Sequence, residues 1–364
     1  MATATDTATG TGRLRPPATT IPPPRSVRAR GPGRVNLIGE HTDYNGGLAL
    51  PFAIERGVTV TAERLDGEHV ETEARDLGET DRFPLASPER ADGWRAFARG
   101  TVAELAAAGV ALVPARLTID GDLPQGAGLS SSAALEAALC LALIGVAGAP
   151  EPDRVELARL CSRVENAWVG ADTGLLDQLA SLLAEEGSAL RIDFATLAVE
   201  PVPLDLGGWQ LVTADSGAAH SHAESGYNER RAECAEAARS LGVERLSQAE
   251  PDTADGLPEP QRRRARHVLS ENRRVDATVR ALRDGDVAAV ADLLDASHAS
   301  LRDDFEVSVP EVEATVERLK ASGAAGARIM GGGFGGAVLA LLPPGTGVPP
   351  GATPVAPGPP ARLL

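Results

Sequence analysis

Residues 33–47, Gly-Arg-Val-Asn-Leu-Ile-Gly-Glu-His-Thr-Asp-Tyr-Asn-Gly-Gly, place a guanidinium, two carboxylates and an imidazole within ten positions. A short apolar strand, Val35 to Ile38, separates Arg34 from the cluster Glu40, His41 and Asp43. Solubility does not require that set, whereas a site that grips several hydroxyls of one small molecule does. The spacing alone also fits a polar hairpin between two strands, so the loop is a candidate site with a structural alternative beside it.

A second group is Leu123-Pro124-Gln125-Gly126-Ala127-Gly128-Leu129-Ser130-Ser131-Ser132-Ala133-Ala134. Glycines let a backbone pass close to an anion, and a helix N-terminus offers unpaired N–H groups at the positive end of its dipole. Three serines add hydroxyl donors, although a Gly-rich turn before a helix is also plain capping chemistry. A Walker-type loop is excluded, because Lys320 is the chain's one lysine and follows no Gly-rich loop. A phosphate cradle here must work through amides, hydroxyls and a metal. Neither Gly-rich stretch carries a convincing dinucleotide fingerprint. The third group, Gly331-Gly332-Gly333-Phe334-Gly335-Gly336, has five glycines in six positions. So much forfeited backbone entropy points to close approach by a ligand or by another segment.

These groups need elements to position them. Strands are predicted over Val35–Ile38, Leu48–Ile54, Val58–Ala62, Ala115–Ile119, Arg328–Met330 and Ala337–Leu342. Helices are predicted over Trp94–Ala108 and Ser130–Ile144, the latter apolar on nearly every face and therefore buried. Leu157, Leu160, Cys161, Val164 and Trp168 mark one further amphipathic helix. Segments Leu179–Leu183 and Ala189–Phe194 close the first half. Prolines and glycines from Pro201 to Gly208 place a domain boundary there, giving a tail over 1–25, one domain over 26–205 and another over 206–364. The second half is mostly helical. Val268, Asn272, Val275, Val279 and Leu282 share one face, and Pro310 opens the helix Glu311–Ser322.

The net charge is −16, from 35 basic and 51 acidic side chains. That balance argues against nucleic acid or an anionic membrane surface as the main partner. The one basic run, Arg262-Arg263-Arg264 with Arg266, reads as the solvated start of a helix. Cys140, Cys161 and Cys234 form no metal-type spacing, which is the pattern of reduced cytoplasmic thiols. His220 and His222 lack a third ligand nearby. No run approaches the ~20 apolar residues of a membrane span. Met1 to Arg25, rich in Thr, Ala and Pro, is expected to be disordered and to be neither a secretory signal nor a helix.

The three groups, in this order, resemble the GHMP kinase superfamily and, within it, the galactokinase family. The likeness covers Arg28 to Leu342. It is supported by Gly174-Leu175-Leu176-Asp177-Gln178, by Tyr227 ahead of Arg230-Arg231, and by Ser300-Leu301-Arg302-Asp303-Asp304-Phe305-Glu306. The resemblance implies a two-domain α+β fold with a mixed-sheet N-terminal domain and a helix-rich, ferredoxin-like C-terminal domain. It implies ATP and Mg²⁺ as cofactors and galactose as substrate, phosphorylated at its anomeric hydroxyl by a protein expected to be a cytoplasmic monomer. Carried over by position, Gly126, Ala127, Gly128, Leu129, Ser130, Ser131 and Ser132 would wrap the ATP phosphates, with Ser132 and Glu165 reaching Mg²⁺. Glu40, His41, Asp43, Gly174 and Tyr227 would bind the sugar, and Arg34 and Asp177 would flank the anomeric hydroxyl. From the residues alone, Glu165 reads as the rim of an apolar helical face and Tyr227 as an amphipathic boundary residue.

Two departures stand out. Galactokinases carry a helix ahead of the first strand, where this chain is Thr- and Pro-rich. They also carry a helix and a final strand after the third motif, where this chain has Pro343-Pro344-Gly345-Thr346-Gly347 and Pro349-Pro350. The C-terminal domain is thus expected to be shortened, with apolar surface uncovered and a cleavable tail. Rival readings are a 1-kinase for N-acetylgalactosamine or arabinose, a decaying copy, and a non-catalytic sugar sensor. The sensor type lacks a Ser-Ala pair in the second motif, whereas Ser132-Ala133 is present here.

Overall fold

The computed structural model describes residues 24–123, 128–171, 173–218 and 223–364. The expected N-terminal tail before residue 24, Gly126 and Ala127 of the second motif, and His220 with His222 lie outside them. The first half opens with β1 (Ser26–Asn36), a two-residue β2 (Leu48–Ala49) and a long β3 (Pro51–Arg64). The two strands expected between Leu48 and Ala62 are largely one, because β3 pairs antiparallel with the whole of β1, from Ser26↔Glu63 to Asn36↔Pro51. Gly57, opposite Pro32, donates its N–H to the Asp122 carboxylate at 2.6 Å, so the strand continues where a turn was expected.

Next come β4 (His69–Ala74), β5 (Glu79–Pro84), α1 (Trp94–Ala107) and β6 (Ala115–Gly121). The helices α2 (Ser131–Ala147) and α3 (Arg154–Arg163) follow, the second continuing into a π-helical turn, Val164–Val169. Then α4 (Leu176–Leu183), β7 (Ser188–Asp193) and β8 (Ala198–Pro203) complete this half. As its composition demands, α2 is buried from Ala133 to Ile144 except at Leu135, and packs on β1 and β3. The amphipathic helix expected through Trp168 changes character at Val164, and apolar periodicity carries no signal for a π-turn.

The chain leaves the β2–β7–β8 sheet at Pro203 and enters a second sheet at β9 (Gln210–Asp215). Four helices follow: α5 (Ala223–Leu241), α6 (Gln261–Asp284), α7 (Val287–Asp303) and α8 (Pro310–Ala321), the last opened by Pro310 as expected. Strands β10 (Gly326–Ile329), β11 (Ala337–Leu342) and β12 (Ala352–Val355) join β9 in the order β10-β11-β9-β12. The Arg262–Arg264 run is not wholly solvated. Arg264 is 1% exposed and pairs with Glu233 at 2.6 Å and Glu306 at 2.8 Å.

The tail is the largest correction. It has no helix, but β12 pairs with β9, and β13 (Arg362–Leu363) crosses back to pair with β1 in the first sheet. Between them, Gly358 donates to Ala53 O at 2.7 Å and Ala361, fully buried, to Ser181 O at 2.8 Å. The expected uncovered surface is absent from the second sheet, where Val212, Ala214, Val338, Ala340 and Leu342 are buried. An extended strap satisfies the edge hydrogen bonds of both sheets without any helical propensity of its own, so helix-based reading misses it.

Candidate active site

A β-bulge between Pro32 and Arg34 breaks the β1–β3 register and re-aims the arginine away from the sheet. Arg34 then grips Asp177 with two bonds, Nε to Oδ1 at 2.7 Å and Nη2 to Oδ2 at 3.0 Å. Asp177 stands in the first turn of α4, where the helix dipole favours a carboxylate. The third guanidinium nitrogen, Nη1, donates to Gly128 O at 2.6 Å. One side chain therefore spans the second motif and the carboxylate. Ser130, whose φ of 56° is left-handed, directs its hydroxyl onto Asp177 as well. A non-glycine residue held there is strained, and such strain gathers at functional sites.

The loop after β1 carries the remaining polar cluster. Glu40 is held by Arg328 at 2.8 Å and by the Gly331 N–H at 2.9 Å. Arg328, fully buried, also donates to Asn36 O and Leu37 O at 2.8 Å each. A buried charge survives only when paired and hydrogen-bonded, and this one joins β10 to the loop that follows β1. His41 packs between Tyr227 and Phe305, with ring centroids 5.4 and 4.6 Å away, and shares a 2.9 Å hydrogen bond with the Tyr44 hydroxyl. Burial, then the nearby His267, lowers its pKa to about 3, so the imidazole is neutral. Its Nε2 is buried without a partner among the described residues.

Asp43 lies half-buried in a short 3₁₀ turn, Asp43–Asn45. Burial, reinforced by Asp177 and Glu40, raises its pKa to about 6. Gly174 has no room for a side chain, since a Cβ there would stand 1.6 Å from Asp43 Oδ2. The third motif closes the same space. Gly331, Gly333, Gly335, Gly336 and even Phe334 have positive φ, and a Cβ on Gly332 would press on the Tyr227 ring at 3.1 Å.

On the far side, Glu165 projects from the π-helical turn. Its Oε2 accepts from Thr173 Oγ1 and from Gln178 Nε2, both at 2.7 Å. Gln178 Nε2 also donates to Glu136 Oε2 at 3.2 Å, one helical turn beyond Ser132 on α2. Burial and the neighbouring Glu165 push the Glu136 carboxyl well above the usual range. Among the described residues no three His, Cys, Asp or Glu side chains gather as a metal cage. Of the two expected cation ligands, Glu165 lines the cavity and Ser132 stands in the first turn of α2; a carboxylate and a hydroxyl are oxygen donors of the kind Mg²⁺ takes.

Arg34, Glu40, His41, Asp43, Gly128, Glu165, Gly174, Asp177, Tyr227 and the glycines of the third motif line one cavity of about 330 Å³, which Ser130, Ser131 and Ser132 do not line. Leu129 is buried outside it, under a larger cleft of about 1090 Å³ beneath the C-terminal strap, which holds none of the charged groups above. Ser131 and Ser132 begin α2. Sequence reasoning passed over Arg328, Thr173, Glu136 and Gln178. For Arg328 the available signal was a lone charge on an apolar strand running into the third motif. The others meet only through tertiary structure.

Three family descriptions match the chain: a galactokinase galactose-binding signature over residues 20–64, a GHMP kinase N-terminal domain over 96–185 and a GHMP kinase C-terminal domain over 278–347. The galactokinase of Mycobacterium tuberculosis H37Rv is 44% identical over 325 residues, covering 87% of this chain and 89% of that protein. That of Streptomyces coelicolor is 42% identical over 328 residues, covering 85% and 83%. Among solved structures, Lactococcus lactis galactokinase complexed with galactose superposes with a TM-score of 0.86 at 32% identity, covering 93% of this chain and 95% of that one. Methanococcus jannaschii mevalonate kinase shares the fold, with a TM-score of 0.62 at 17% identity over 87% of this chain and 90% of that one.

Proposed function

This chain belongs to the galactokinase family, and we propose that it transfers the terminal phosphoryl group of ATP to the anomeric hydroxyl of α-D-galactose, giving galactose 1-phosphate and ADP. The observation that carries the reading is the Arg34 bridge between Asp177 and Gly128, which sets the sugar side of the cavity against the second motif.

Phosphoryl transfer needs positioning and charge stabilisation more than covalent chemistry. Asp43, Glu40, the neutral His41 and Tyr227 face the space where a pyranose would lie. Burial strengthens each hydrogen bond they make, and leaves a buried group unpaired if a hydroxyl is misplaced. The anomeric oxygen would lie at Asp177. That carboxylate orients the hydroxyl and takes its proton as a general base, or accepts its hydrogen bond while Arg34 balances charge on the moving phosphoryl group. The N-terminus of α2, with Ser131 and Ser132, would receive the triphosphate. Ser132 and Glu165 would hold Mg²⁺, which would supply neutralising charge beside the phosphates.

A coupled ADP-release assay over a panel of monosaccharides tests this. Galactose should drive release at least ~10²-fold more efficiently than glucose, its C4 epimer, because one buried pairing is lost. ADP release indifferent to galactose would overturn the reading.

A further inference from the structure

We propose that Gln178 is a positioning residue that aims the Glu165 carboxylate at the divalent cation and ties it to the reacting carboxylate of Asp177. The inference rests on the reading of Glu165 as a cation ligand. Gln178 is 1% exposed, and the two N–H bonds of its amide nitrogen reach two carboxyl groups, Glu165 Oε2 at 2.7 Å and Glu136 Oε2 at 3.2 Å. Only the amide nitrogen can donate to both, so the orientation of the side chain follows from its partners. Thr173 Oγ1 converges on the same Glu165 oxygen at 2.7 Å. With both donors on Oε2, Oε1 is the oxygen left to face the cavity that Glu165 lines.

Glu165 sits in a widened turn, Val164–Val169, where its carbonyl accepts from the Gly170 N–H five residues on at 3.0 Å. Its carboxylate is held from outside that turn, by Thr173 and Gln178. Gln178 reaches it from α4, and its chain neighbour Asp177 is gripped by Arg34. A shift of the first turn of α4 must move both carboxylates together, so cation geometry and acceptor geometry are set by one dipeptide. A neutral amide suits the place, since it satisfies two carboxyl groups without adding charge beside the cation.

The test uses Mn²⁺ as probe, titrated into the full-length protein with ADP and followed by electron paramagnetic resonance of free Mn²⁺. Galactose binding is measured separately by calorimetry. Gln178→Met keeps the volume and removes the donors; partners of this kind are worth about 10–100-fold in metal affinity. The expected result is a loss of that size for Mn²⁺ with galactose affinity within about twofold, a smaller loss for Thr173→Val, and no further loss when Gln178→Met is added to Glu165→Gln. Unchanged Mn²⁺ affinity in Gln178→Met, or equal losses for Mn²⁺ and galactose, would overturn the proposal. Should Gln178→Met fail to fold, unchanged affinity in Thr173→Val does so instead. A parent protein that takes up no Mn²⁺ with ADP would remove the cation reading itself, a distinct failure.

Discussion

Asp177 is shared among three side-chain donors' worth of bonding, two from Arg34 and one from Ser130. A carboxylate so engaged is well oriented, and two roles stand open to it, general base and electrostatic partner of Arg34. General-base work is worth ~10²–10⁴ in rate, so Asp177→Asn should lower kcat by that factor while galactose binding stays within about tenfold. Arg34→Lys should also lower kcat, because a point charge replaces a planar fork. Steady-state kinetics with calorimetric binding checks both, and near-normal turnover by Asp177→Asn would leave only the electrostatic account. Asp43 gives a pH signature. Its pKa, raised by burial to about 6 from 3.8, makes galactose KM rise as pH falls through about 6, where protonation removes hydrogen-bond acceptors. The folded protein binds more protons than the unfolded chain between those values, so this group costs stability as pH rises from 3.8 to about 6. Asp43→Asn should therefore melt higher than the parent at pH 7 without ligand, yet raise galactose KM by roughly 10². A KM unaffected by Asp43→Asn would exclude a direct contact with the sugar. Arg34, Glu40, His41 and Asp43 were legible because they share one dense local string, and Asp177 through the resemblance carried by residues 174–178. Gln178 and Arg328 were not, since their partners lie on other elements.

At the scale of elements, long helices and apolar strands were legible from periodicity, as α1, α2, α6 and α8 show. Short polar strands were not. In β5, a single buried residue, Phe83, leaves no alternation to read. The bulge in β1 and the π-turn after α3 were also silent in the sequence, although they aim Arg34 and Glu165. Beside the site, the buried pair of Arg328 and Glu40 joins β10 to the loop that follows β1. Removing one partner strands a buried charge, a loss of about 3–5 kcal/mol. Glu40→Ala should thus lower stability by that amount in urea titration. Arg328→Met with Glu40→Met should recover much of it, while galactose binding stays impaired. A stable Glu40→Ala protein would mean that the pair is solvated.

For the whole molecule, the C-terminal strap corrects the expectation most. It was unreadable because strand pairing at two distant edges leaves no trace in a segment of prolines and glycines. Its last residues hold Ser181 on α4, the helix that carries Asp177, and Ser181 in turn donates to Pro32 O at 3.0 Å, beside the bulge. Ending the chain after Val355 removes the pairing of β13 with β1 together with the Gly358, Ala361 and Leu364 backbone bonds. The last three alone, at ~1 kcal/mol each, make a loss of at least about 3 kcal/mol and a Tm lower by several degrees, with activity falling alongside. Limited proteolysis of the intact protein should leave residues 343–364 attached, and early cleavage there would contradict the pairing.

The most direct test of the central claim is ³¹P NMR of purified protein incubated with galactose and Mg·ATP. The account predicts that ADP and an α-anomeric galactose phosphoester grow at equal rates, and that both vanish in Asp177→Asn on the same timescale. A phosphoester at another hydroxyl, or ADP accompanied only by inorganic phosphate, would contradict it.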